Sequence, residues 1–172
     1  MIYIVFIFWG YFTARQDANT AKLILEEMKK TYGPLLEMNV FRQFLFVFFN
    51  NGLTLFLVLI FGIIFGVFPF LVLFANGAIL GILVFLSEST ISWPKFFLGT
   101  MPHGIIEIPV MILACAAGLK IGRASFLGVF KKQGNFKNEF FSALNFFLKI
   151  LLPLLFLAAA IEIFITAKIL GI

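Results

Sequence analysis

The chain has 172 residues, 62% of them hydrophobic and 12% charged, with a formal net charge of +5 and a mean hydropathy of +1.10. Soluble domains carry about 45–50% apolar and about 25% charged residues, so too little polar surface is present here to cover a soluble globule. This excludes an ordinary soluble enzyme and a disordered chain, and it assigns the thirteen Lys and Arg to membrane flanks rather than to a nucleic-acid partner. The single Cys115 lies in an apolar run, which permits neither an intramolecular disulfide nor a cysteine-based metal motif. The expected class is all-α: one transmembrane domain over residues 1–172, a polytopic bundle of about five spans in the cell membrane, in contact with lipid.

A spanning helix needs roughly 20 predominantly apolar residues. Residues 1–14 fall short of that and carry Trp9 and Tyr11, which suit an interface; they read as a short first span. A signal peptide is not expected, because a basic leader and a clear cleavage site are missing. Residues 15–42 are the most polar stretch. Ile24, Met28 and Tyr32 recur every four residues, Glu26 lies one turn before Lys30, and Gly33-Pro34 is expected to stop the pattern. That predicts an amphipathic helix on the membrane surface.

Residues 43–172 are expected to form the helical bundle. Apolar sequence runs from Phe44 to Leu86, and Phe68-Pro69 is the expected break, giving helices over about 41–66 and 69–86. A polar link over residues 87–100 follows, then a helix over about 102–122 with Pro102 in its first turn. A basic loop over 123–138 leads to a last helix over about 140–170, kinked at Pro153. Basic residues are almost evenly divided between the 15–42 and 123–138 regions. The second set is denser and nearly free of acids, which favours that loop as the cytoplasmic one. The pairs Gly62/Gly66, Gly77/Gly81 and Gly118/Gly122 have the small-xxx-small spacing that lets membrane helices approach closely.

Asn50, Asn51, Asn76, His103, Glu107 and Glu162 stand in apolar runs where a charge costs at least about 2.5–3.5 kcal/mol. They are expected to face the bundle or a wet cavity and to have partners. From the predicted helix ends, Glu107, Asn51 and Glu162 lie about 6, 10 and 12 Å from one membrane face, with Asn76 deepest. His103 and Glu107 share one face of a helix at four-residue spacing. With Glu162 they offer one imidazole and two carboxylates to a divalent metal ion. The same residues suit a proton relay, contact with a substrate, or hydrogen bonds that fix the bundle's register. Glu88 and Glu139 read as solvated residues at helix ends. No nucleophile–base pair stands out, so no catalytic residue is assigned and a non-enzymatic role is expected.

The run Pro102-His103-Gly104-Ile105-Ile106-Glu107-Ile108-Pro109, followed by Ala114-Cys115-Ala116-Ala117-Gly118-Leu119 and Gly122, resembles the signature of the stage II sporulation protein M family. Asn50-Asn51, Gly62/Gly66, Asn76-Gly77, Gly81 and Ala159-Ala160-Ile161-Glu162 fall in the order that family shows. The resemblance implies a polytopic protein without an assigned catalytic activity. It further implies a membrane scaffold or assembly factor with protein partners in envelope remodelling. The polar residues leave a different expectation open: a small transporter or channel for protons, metal ions or lipids, built as a homo-oligomer because one chain is short for alternating access.

Overall fold

The computed structural model describes residues 1–89, 91–132 and 135–166, and among these it is helical with no strand. The elements are α1 (Ile2–Gln16), α2 (Ala18–Leu36), α3 (Val40–Gly62), α4 (Val67–Ser89), α5 (Trp93–Lys131) and α6 (Phe136–Thr166). Helices α3 to α6 are each long and apolar enough to cross a membrane. The 15 residues of α1 rise about 22 Å, short of a roughly 30 Å hydrocarbon layer. An all-α polytopic bundle results, with a short first helix.

Several boundaries differ from the sequence expectation, each for a local reason. Helix α2 runs through Gly33-Pro34 to Leu36, because a proline so close to the end removes only one backbone bond. Asp17 begins α2 by accepting bonds from the Asn19 and Thr20 amides. Lys30 pairs with Glu27 at 2.6 Å rather than with Glu26. The α3–α4 break falls at residues 63–66, not at Phe68-Pro69. Phe65 (φ 51°) and Gly66 (φ 77°) both take left-handed conformations there, and Pro69 sits in the first turn of α4, where no backbone donor is needed.

The predicted polar link over 87–100 is largely helical. Helix α5 starts at Trp93, with Pro94 in its first turn, and continues past Gly122 to Lys131; Pro102 is therefore an interior residue. Most of the expected basic loop belongs to this helix, which ends where Lys132 turns left-handed (φ 53°). The last helix starts four residues before the expected position, capped by the Asn135 side chain on the Asn138 amide. Its expected end near Leu170 lies outside the described residues. Pro153 produces a π-helical turn at Phe147–Leu151, with the Leu152 N–H donating to the Phe147 carbonyl. The wider turn accommodates a proline that regular winding would drive against the carbonyl four residues back. A second π turn spans Glu162–Thr166.

The chain divides into two compact units, one of Met1–Val47, Phe74–Gly104 and Ala159–Ile172, the other of Phe48–Leu73 and Ile105–Ala158. In the first unit α1 runs parallel to α4. A Cβ on Gly10 would strike the Ala78 backbone, one on Gly77 would meet Phe6 Cβ at 2.7 Å, and one on Gly81 would strike the backbone of Ile7 and Tyr11. Farther along, Ala14 and Ala21 join Ile82 and Leu86 in a buried cluster, covered by Ile24 and Leu25 of α2. The apolar stripe of α2 thus rests on α4, while Lys22, Glu26, Lys29 and Lys30 stay exposed.

In the second unit α3 and α5 run parallel with their backbones nearly touching. A Cβ on Gly62 would lie 2.6 Å from the Gly118 carbonyl oxygen, and one on Gly118 would lie 2.6 Å from Pro69 and 2.8 Å from the Val58 oxygen. Gly122 faces the backbone of Phe65 and Gly66 in the α3–α4 turn. Only a missing side chain permits such approach, and in lipid this contact is the main attraction between helices.

Candidate functional site

The intramembrane polar residues sit well inside their helices. Asn51 is eleven residues from the start of α3, or about 16 Å. Glu107 is fourteen residues from the start of α5, or about 21 Å, because α5 begins at Trp93 and not near Pro102. Asn76 is thirteen residues from the end of α4, or about 20 Å.

In the second unit the half-buried Asn51 donates from Nδ2 to Glu107 Oε1 at 2.8 Å. The bond fixes the amide's orientation and gives the acid one donor at a depth where water is scarce. Such a bond is stronger if the acceptor is ionised. Asn50, the neighbouring residue on α3, is exposed, and its backbone carbonyl accepts from Thr54 Oγ1 at 2.9 Å. The α3 backbone therefore turns one asparagine inward and the other outward, as a 100° step per residue requires.

In the first unit His103 of α5 and Glu162 of α6 bring ligand atoms within 4.8 Å of each other. His103 Nδ1 is buried and has no hydrogen-bond partner among the described residues. An imidazole nitrogen and a carboxylate oxygen brought together in this way match the donor types of a borderline divalent ion. Glu162 opens the second π turn, a local widening often found at functional positions. Thr166, at the other end of that turn, is buried with no partner for Oγ1 among the described residues. Asn76 of α4 is exposed.

These residues lie within a match that runs almost the length of the chain: the family model of stage II sporulation protein M matches residues 1–167. The chain belongs to the stage II sporulation protein M family. An uncharacterized protein of Methanocaldococcus jannaschii is 30% identical over 164 residues, covering 93% of this chain and 89% of that relative. No solved structure matches significantly.

In this member of the stage II sporulation protein M family, three pairings stand outside the sequence expectation. Tyr11 donates from its hydroxyl to Glu88 Oε1 at 2.9 Å, joining α1 to α4, and Lys120 pairs with Glu139 at 2.9 Å. Both acids thus have specific partners. Ser87, expected in a link, is buried and donates to the Val84 carbonyl at 2.6 Å. Gly10 also went unselected, although Gly10 and Ala14 carry the same small-xxx-small spacing as the other pairs, and that spacing is the signal that would have found it. The Tyr11 and Lys120 pairings leave no such trace, because they join residues distant in sequence.

Proposed function

We propose that this protein is a non-enzymatic scaffold or assembly factor, a multi-pass protein of the cell membrane that holds envelope-remodelling partners in place. The observation that carries the reading is membership of the stage II sporulation protein M family over residues 1–167, with the partner role that the resemblance implies. The architecture is compatible with it. Among the described residues 92% are helical, and the close glycine contacts favour fixed helix packing within each unit, a suitable platform for partners.

The test is affinity isolation of the tagged full-length chain from its own membrane in mild detergent, followed by quantitative mass spectrometry. The expected result is a protein partner recovered in constant proportion across preparations. Recovery of the chain alone, together with flux of protons, divalent ions or lipids in reconstituted vesicles above empty vesicles, would overturn the proposal. In that event Glu107→Gln and Glu162→Gln should abolish the flux, since those acids are the groups able to carry charge.

A further inference from the structure

The end of α5 carries a feature that the scaffold reading does not use. Gly122 abuts the backbone of Phe65 and Gly66 in the α3–α4 turn, so this level marks where those two helices reverse. Helix α5 continues for nine residues to Lys131, or about 13 Å. The interfacial layer outside each side of the hydrocarbon is roughly 5–8 Å deep. The extension therefore spans the headgroup zone of the leaflet that holds the α3–α4 turn.

Its side chains are sorted around the helix. Phe126, Val129 and Phe130 are exposed, and Phe126 and Phe130 both contact Phe65 with ring centroids 5.8 Å apart. Beside this aromatic face, within roughly 80° of helix circumference, stand Lys120, Arg123 and Lys131. Lys120 is taken by Glu139 at 2.9 Å. Arg123, Lys131 and Lys132 are exposed, and residues 120–138 contain no acid.

The geometry points to a binding site for an anionic phospholipid headgroup at the C-terminal end of α5, with Arg123, Lys131 and Lys132 holding the phosphate and Phe126, the exposed ring nearest the α3–α4 turn, meeting the upper acyl chains. The occupant is a membrane lipid because exposed cationic side chains stand beside exposed aromatic rings just outside the level at which α3 and α4 reverse. Aromatic rings favour that boundary, and basic side chains there attract anionic headgroups. The basic face of α2 does not offer the same arrangement, since Lys22, Lys29 and Lys30 are interspersed with Glu26 and Glu27.

The experiment is native mass spectrometry of the full chain in mild detergent, titrated with phosphatidylglycerol or phosphatidylcholine at low ionic strength. Each basic residue near a charged surface is expected to contribute roughly fivefold to affinity. The triple variant Arg123→Gln, Lys131→Gln, Lys132→Gln should therefore lose roughly 100-fold in phosphatidylglycerol binding. The matched variant Lys22→Gln, Lys29→Gln, Lys30→Gln should stay within about twofold of the parent. Excess inorganic phosphate should not displace the lipid. Equal binding of the two lipids, equal loss in both triple variants, or displacement by phosphate would each overturn the assignment. All six substitutions are at exposed positions, and an unchanged melting temperature confirms that binding, not folding, is being read.

Discussion

Gly118→Ala tests whether backbone contact between α3 and α5 holds the second unit together. The new methyl carbon would lie 2.6 Å from Pro69 Cγ and 2.8 Å from the Val58 carbonyl oxygen. Ordinary contact begins near 3.4 Å, so α3 must move away by about 0.6 Å and the Pro69 ring of α4 by about 0.8 Å. A gap of that size forfeits a quarter to a half of each dispersion contact along the seam, and overpacking of this kind costs about 1–3 kcal/mol. Alanine regains about 0.5–1 kcal/mol as the better helix former. The net expectation is a loss of about 1–2 kcal/mol, or roughly 2–8 °C in melting temperature for a chain of this size.

Gly128→Ala is the internal comparison. It lies on the same helix with nothing within 4 Å of its Cβ position, so the propensity gain should appear alone as a small rise. The sole cysteine, Cys115, is fully buried in α5, so reaction with a maleimide dye during heating reports loss of the fold directly. A Gly118→Ala variant that melts with or above Gly128→Ala would refute the claim that this seam is held by missing side chains. Gly62→Ala should destabilise similarly, and the double variant should cost less than the sum, because one separation of the helices relieves both clashes.

Removing the amide in Asn51→Leu should lower stability by about 1–2 kcal/mol by leaving the Glu107 carboxyl without that donor. A cycle with Glu107→Leu, read by the same thiol assay, should give a coupling of about 0.6–1.7 kcal/mol. The Asp17 carboxyl is held below the usual carboxylate range by the Thr20 hydroxyl and amide, then by the Asn19 amide. Its support of the first turn of α2 is therefore complete above the unfolded aspartate value near 3.8 and is lost as pH falls through the lowered native value. Hydrogen exchange along α2 should accelerate over that acidic window in the parent but not in Asp17→Asn. Lys120→Gln should change the melting temperature little, since the lysine is 68% exposed and such surface pairs contribute about 0–1 kcal/mol; a loss of several kcal/mol would mean that the pair is structural.

Fold class was legible because apolar run length is itself the physical requirement for crossing a bilayer. Boundaries were less so. Pro69 looks like a helix end, yet a first turn tolerates proline, and the real break comes from two left-handed residues whose conformation no local pattern announces. Lys95 and Thr100 make the start of α5 look like a link, although both lie within the helix. For the candidate site, the residues Asn51, His103, Glu107 and Glu162 could be selected by the cost of placing them in an apolar run. Which amide serves which acid could not, because partner choice depends on helix rotation and depth. Glu107, expected about 6 Å from the start of its helix, lies about 21 Å from the observed start of α5, so an altered helix start changes its place along the helix.

The wide turn at Phe147–Leu151 makes α6 unevenly tolerant of changes in chain length. A π turn holds one residue more than regular winding needs, so a single deletion inside it can be absorbed locally, leaving the face that carries Glu162 pointing as before. The same deletion among residues 154–161 has no slack to draw on and would rotate Glu162 by about 100°. Even inside the π turn the deletion has a condition attached. Regular winding brings back the conflict between the Pro153 ring and the carbonyl one turn earlier, so the shortened helix also needs Pro153 replaced. The extra residue and the proline are thus linked, in that losing the extra residue alone leaves the helix worse off than losing both.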